Sequence, residues 1–351
     1  MRRSVGSFSG LREDASDRMP ALEYLRSRGA TVSVQLGLPS LAMPSWATLL
    51  TGAGPEIHEV TANSFSGPLR ADHIFEAARR ANLTTGLVGT KQWQTLLGPA
   101  IGDGRFLDPK APDPDGQTVE RAAALLETTP SLALLNVTGP AVTGGQFGAD
   151  SGKYLQAVSE ADSRLAMILD LVDLENMTVI VTSDYGLTDA GGHGGGEDEV
   201  IRLPLVMAGL GIRSGATATD AHEDIAPTVA ALLGIPFPAN ATGQPVWAAL
   251  DASDEVLKEK LTLAAAQLAA VKAATLTALG DSGPLAPPSE PNPSNLGRWL
   301  ESTRIREDNS RNKLLGLERQ ERLPRMGWAL GGGLVLLIVL TRAVRGPIMV
   351  R

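Results

Sequence analysis

Short apolar runs alternate with helix-period segments across the first 235 residues, and this alternation restricts the fold more than any other feature of the chain. Runs rich in Val, Leu and Ile predict strands over 31–36, 85–89, 131–137, 177–182 and 203–208. Helical periodicity between and after them predicts helices over 20–28, 73–81, 118–127, 154–172 and 225–233. Strands separated by helices imply an α/β fold, a three-layer α/β/α sandwich whose mostly parallel central sheet is covered on both faces. In such a sheet, chemistry sits in the loops at the carboxyl ends of the strands.

Charge separates the chain into two parts. Residues 298–351 hold 11 basic and 5 acidic residues, a net of +6, whereas residues 1–297 hold 20 and 34, a net of −14. An acidic body repels phosphate backbones, so no nucleic-acid partner is expected. A basic tail is what an anionic membrane surface attracts. The chain has no Cys, which excludes disulfides and thiolate chemistry and leaves the redox compartment open.

The tail carries its own pattern. An Ala-rich stretch, 253–279, predicts a helix with Asp254 and Glu255 in its first turn and Gly280 just past its end. Five prolines within 281–295 predict an extended linker, and a charged helix is expected from about residue 295 to 322. Residues 326–341 are 16 uncharged residues between Arg325 and Arg342. As a helix they would rise about 24 Å, a little short of the roughly 30 Å hydrocarbon core, with arginine snorkelling closing the gap. The expected division is therefore a body at 1–250, a helical stalk at 251–325 and one single-pass membrane helix at 326–345. Arginines flank the run on both sides, so orientation is not set. Residues 1–8 lack the apolar stretch of an export signal, which leaves either a tail-anchored domain or a start lying upstream.

Three loop signatures carry a resemblance: PSLAMPSWATLLTGAGPEIHEVTANSF at 39–65, VIVTSDYGLTDAGGHGGGEDEVIRLPLVMAG at 179–209, and DIAPTVAALLGIPFPANATGQPV at 224–246. Together they resemble the alkaline phosphatase superfamily, and within it the type I phosphodiesterase and nucleotide pyrophosphatase branch that includes the GPI ethanolamine-phosphate transferases. The resemblance spans about residues 5–248. It implies two divalent metals, usually zinc, and a Thr or Ser nucleophile that attacks phosphorus in line.

Matched position by position, the resemblance implies a depleted site. Ser9, before Gly10-Leu11-Arg12, stands where the family has an acidic ligand, and Ala42 stands at the nucleophile. A methyl group cannot attack phosphorus. Register on Gly144, Phe147 and Gly148 puts Ala141 and Gly145 at an Asp and a His ligand position. The Ser-Asp-His-Gly motif reads Ser183, Asp184, Tyr185, Gly186, so its Asp remains and its His does not. The Gly-x-His-Gly-Gly motif is intact around His193. Asp184 and His193 are thus the remnant metal positions, one per metal, whereas catalytic zinc needs about three protein ligands.

The expectation is a membrane-anchored pseudoenzyme acting in binding or assembly, with no cofactor, membrane lipid as one partner and a protein as a possible other. The alternative is an active phosphodiester hydrolase or phosphotransferase, holding zinc or manganese in a rearranged site. In that reading Ser40 points the same way as Ala42 along an extended segment, with Glu197 and Asp198 nearby. His193 and Asp184 also admit structural readings, as a loop hydrogen-bonder and a turn cap, and Tyr185 is expected to plug the emptied pocket. His58 and Asn63 match a loop that is structural in the family, while His73 and His222 are expected near helix starts, His222 solvated. The sequons at Asn82, Asn136, Asn176 and Asn240 are expected by chance. The resemblance favours an extracytoplasmic body.

Overall fold

The computed structural model describes residues 2–108 and 113–315. Eight strands form one sheet: β1 (Arg2–Phe8), β2 (Gly29–Gln35), β3 (Thr85–Gly89), β4 (Asp103–Phe106), β5 (Leu132–Val137), β6 (Met177–Thr182), β7 (Arg202–Gly209) and β8 (Thr217–Ala221). Their order is β4-β3-β5-β1-β6-β7-β2-β8. Every neighbouring pair is parallel except the two that β7 makes, with β6 and β2. Seven strands therefore point one way, and their carboxyl ends share one edge. β5 is buried along its whole length, as a central parallel strand covered on both faces must be.

Among the described residues the helices are α1 (Glu13–Ser16), α2 (Pro20–Arg26), α3 (Ala42–Thr51), α4 (Pro55–His58), α5 (Ile74–Arg80), α6 (Lys91–Leu97), α7 (Pro114–Glu127), α8 (Gly139–Phe147), α9 (Gly152–Leu169), α10 (Asp198–Ile201), α11 (Ile225–Leu233), α12 (Asp254–Ala278) and α13 (Pro293–Leu315). One layer groups α2, α7 and α9, and the other groups α3, α5 and α11. Local chemistry starts the long helices. Ser151 caps α9 by accepting from the Tyr154 amide at 3.1 Å, and Asp113 caps α7 by accepting from the Gly116 amide at 2.9 Å. Asp162 of α9 reaches across its layer and takes the Ala21 and Leu22 amides at the start of α2.

All five predicted strands and all five predicted body helices form, with ends shifted by a few residues. β1, β4 and β8 escape the sequence pattern because RRSVGSF, DGRF and TATDA carry little apolar bulk. α3 is the correction that matters. The segment that was to carry Ser40 and Ala42 in alternation turns helical at Ala42, and every residue of α3 is buried.

Beyond the sheet, α12 packs Leu261, Ala264, Ala265 and Leu268 into the same apolar core, and Gln267 donates to the Pro238 carbonyl at 2.8 Å. Leu296 of α13 joins that core. One helix window among the described residues, Leu261–Ala278, is long and apolar enough to cross a membrane by length and composition, with mean hydropathy 1.4. A helix packed on a soluble core passes the same test, so this is weak evidence. The expected membrane helix at 326–345 lies outside the described residues.

Candidate functional site

The shared strand edge gathers the signature loops. Ser9 follows β1, Ala141 and Gly145 lie on α8 after β5, Asp184 and Tyr185 follow β6, and His193 sits in the loop leading to β7. Ser40 and Ala42 follow β2, which runs in the same direction as β1. Parallel topology is what brings together residues separated by up to 184 positions, which no local pattern joins.

Backbone contacts lock these loops together. The Gly10 amide donates to the Tyr185 carbonyl at 2.9 Å. Gly10 has φ +68°, and a Cβ there would stand 2.6 Å from the Ala141 Cα, so only glycine permits the approach. The Tyr154 hydroxyl donates to the Gly10 carbonyl at 2.8 Å, and Arg12 pairs with Asp189 at 2.5 Å, tying the first loop to the His193 loop.

Asp184 is fully buried, and its carboxyl is ringed by donors from the chain itself. Ser9 and the Trp46 indole, the latter at 2.5 Å, both donate to Oδ2, and the Tyr185 amide donates to Oδ1 at 3.0 Å. Burial pushes the carboxyl up to about 8, with the bonds from Ser9 and Trp46 acting against that rise.

Tyr185, 1% exposed, lies beside this group and stacks on the His193 ring at a centroid distance of 4.2 Å and 18° between planes. Burial holds its phenol well above the usual range, and the neighbouring Asp184 charge adds to that. The His193 Nδ1 donates to the Ser40 carbonyl at 3.2 Å, and burial lowers the ring's pKa, with that bond acting against the shift. Ser40 closes the same clasp through its hydroxyl, which accepts from the Gly194 amide at 3.0 Å and donates to the Gly195 carbonyl at 2.6 Å. Ser40 is therefore a fastener of the His193 loop, committed on both sides. Glu197 and Asp198 are exposed.

Ala42 opens α3 with its methyl group 1% exposed, and the Met43 amide at that helix start is taken by Asn63 Oδ1 at 3.0 Å. His58 accepts the Val60 amide at Nδ1 and bonds Thr48 through Nε2, and burial brings it down to about 4. His73 caps α5 by accepting from the Glu76 amide, also at about 4. His222 is corrected from solvated to 0% exposed, because β8 carries it to the strand edge, where Nε2 donates to the Ser183 carbonyl at 3.2 Å. Burial lowers it to about 4 and its Nδ1 has no partner. Asn136 is 0% exposed, and Asn82 and Asn176 are exposed.

Trp46 is the residue that sequence reasoning missed. It is flanked by buried apolar residues in α3 and reads as core, which it also is, stacked on Trp93 at 4.4 Å. Trp93 in turn donates to Asn136 Oδ1 at 3.1 Å. An indole N–H inside a buried strand edge needs an acceptor, and that requirement was the available signal.

A metal needs bare lone pairs aimed at one point. The positions matched to ligands carry a hydroxyl at Ser9, a methyl at Ala141, no side chain at Gly145 and a phenol at Tyr185, while Asp184 already accepts three hydrogen bonds. Among the described residues no group of three His, Cys, Asp or Glu is placed to hold a metal. The residues present do not fit a dinuclear centre.

The sheet order and the loops gathered at its carboxyl edge define an α/β domain of the alkaline phosphatase superfamily. Structural likeness agrees: murine ectonucleotide pyrophosphatase/phosphodiesterase 5 superposes with a TM-score of 0.57 over 66% of this chain and 94% of that one, at 15% identity. A phosphonate monoester hydrolase of Agrobacterium radiobacter gives 0.54 over 68% and 75%, at 16% identity. The sequence profile described as type I phosphodiesterase / nucleotide pyrophosphatase matches residues 7–105 and 112–204, more than half of the chain. The chain belongs to that family. It is related to the human GPI ethanolamine phosphate transferase 2 catalytic subunit, 26% identical over 64% of this chain and 25% of that protein. It is also related to GPI ethanolamine phosphate transferase 1 of Aspergillus fumigatus, 24% identical over 72% and 30%. The chain spans a quarter to a third of the length of these two relatives.

Proposed function

We propose that the chain is a degenerate member of its family, catalytically inactive and used for binding or assembly, with residues 251–325 as a stalk and the uncharged run at 326–345 holding it at a membrane. The observation that carries this reading is the saturation of Asp184 by Ser9, Trp46 and the Tyr185 amide, with Tyr185 packed on His193. Donors stand where a cation's charge would be needed, and the carboxyl they surround favours its neutral form. Ala42 supplies no nucleophile. The domain would then present its loops as a surface, for a partner that the family's fold once offered to a substrate.

The full chain, purified and dialysed against zinc or manganese, is expected to hold far less than one ion per chain and to leave a nitrophenyl phosphodiester at the background rate. Stoichiometric metal accompanied by turnover would defeat the reading. Restoring Asp at Ser9 and Ala141, Thr at Ala42, and His at Gly145 and Tyr185 is expected to recover metal only when Trp46 is also replaced, because its N–H otherwise keeps Asp184 occupied.

A further inference from the structure

Exposed apolar side chains gather beside the His193 loop. Among the described residues, Leu38 at 58%, Val142 at 54% and Phe147 at 43% exposure belong to the two elements that flank residues 191–196. On one flank the loop lies against α8, since a Cβ added at Gly191 would come within 2.3 Å of the Gly144 carbonyl oxygen and 3.3 Å of the Gly145 Cα. On the other it meets the connection from β2 to α3. A Cβ at Gly194 would stand 3.1 Å from Leu41 Cδ2, and one at Gly196 3.8 Å from Leu38 Cδ1. One strip therefore runs from α8 across the glycine loop to Leu38.

Two features suit this strip to an extended chain. Gly192 and Gly196 are exposed and present only backbone, so another main chain can come close enough to exchange hydrogen bonds with them. Gly145 lies three residues on from Val142 on the same helix face, and a Cβ there would meet nothing within 4 Å. That open position is a notch between Val142 and Phe147.

Charge selects the partner. At the α8 end Asp150 and Asp189 are exposed, and Arg12 joins Asp189 to Asp14. Lys153, the other cation there, lies over the Phe147 ring at 3.6 Å. At the Leu38 end stand Glu197 and Asp198, with Arg202 at 3.6 Å from Asp198. Carboxylates outnumber cations at both ends. Such a rim repels an anionic lipid surface, and it repels a second copy of a body whose net charge is −14. It attracts a segment with Lys or Arg on either side of an apolar stretch.

Building on the binding role set out above, on which this rests, we propose that the strip docks an extended segment of another protein. One apolar side chain fills the Gly145 notch and another packs on Leu38. The main chain follows the glycine loop, and Lys or Arg meets the carboxylates at each end.

Fluorescence anisotropy on the full chain in detergent micelles tests this with labelled peptides that carry lysines at both ends of a core of Leu, Val and Gly. Saturable binding at or below about 100 μM is expected, weakening as salt rises. A twin with glutamates for the lysines, and one with serines for the apolar core, should each bind at least about tenfold more weakly. Gly145→Trp fills the notch from an open position, so it should cost at least about tenfold in affinity while the melting temperature holds. Glu197→Lys with Asp198→Lys should shift preference towards the glutamate-ended twin. No saturable binding, equal affinity for the lysine- and glutamate-ended peptides, or binding indifferent to Gly145→Trp overturns the proposal. So does dimerisation, or attachment to anionic vesicles, that Gly145→Trp abolishes. Zinc content and phosphodiester turnover on the same sample keep the two readings apart: turnover defeats the inactive reading, whereas the peptide series decides the docking strip.

Discussion

Asp184 and Asp224 are both buried carboxyls held near 8, and their surroundings give them different roles. Asp224 ties two segments by accepting the Ala221 amide at 2.8 Å and the Gln244 amide at 2.7 Å, with burial raising it and Asp220 adding repulsion. A carboxyl raised in the folded state binds its proton more tightly there than in the unfolded chain. Its contribution to stability is therefore full below its ordinary value near 4 and is lost as pH rises towards about 8. Asp224→Asn removes that titration. In urea denaturation, the stability advantage of the unmodified chain over the variant should shrink by at least about 1 kcal/mol between pH 4 and pH 8. A constant difference would refute the assignment. Trp46→Phe keeps a ring on Trp93 but withdraws the N–H from Asp184, and a loss of about 1–3 kcal/mol in the same assay at neutral pH is expected. The motifs around Asp184 and His193 were legible in the sequence. The indole that occupies the Asp was not, because a tryptophan inside an apolar helix carries no sign of which distant acceptor it meets.

The five strands and five body helices read from the sequence were readable because each obeys a local rule. Buried parallel strands are continuous apolar runs such as LALLNV, and α9 shows a helical period behind a serine cap. α3 was not readable as a helix, since proline at 44 and the motif PSLAMP suggested an extended loop, and proline is tolerated in a helix's first turn. The close approach of the β1 and β5 loops gives a prediction about elements rather than single side chains. Gly10→Ala forces a Cβ against the α8 backbone at a positive φ, so the loop after β1 and the start of α8 must part. A destabilisation of about 2 kcal/mol or more is expected by thermal or chemical denaturation, and a variant as stable as the original would show that this contact does not hold the edge together.

For the molecule as a whole, the charge split between an acidic body and a basic tail and the uncharged run near the C-terminus bear on where the chain resides. If the run at 326–345 anchors it, the full chain should float with vesicles containing anionic lipid. Val335→Asp together with Ile338→Asp should abolish flotation, since two charges at mid-run each oppose burial by about 3 kcal/mol. Flotation unchanged by those charges would place membrane binding elsewhere. The sequence by itself determined the α/β class, the alternation of most of the body's strands and helices, and which residue types stand at the positions matched to the family's motifs, because propensity, periodicity and residue identity are properties of neighbours along the chain. Tertiary structure alone decided that Trp46 and Ser9 fill the place beside Asp184, that His222 is buried, and that Lys272 meets Glu307. Those contacts depend on which strand edges and helix faces meet, and that geometry is fixed by long-range packing that no local stretch of sequence records.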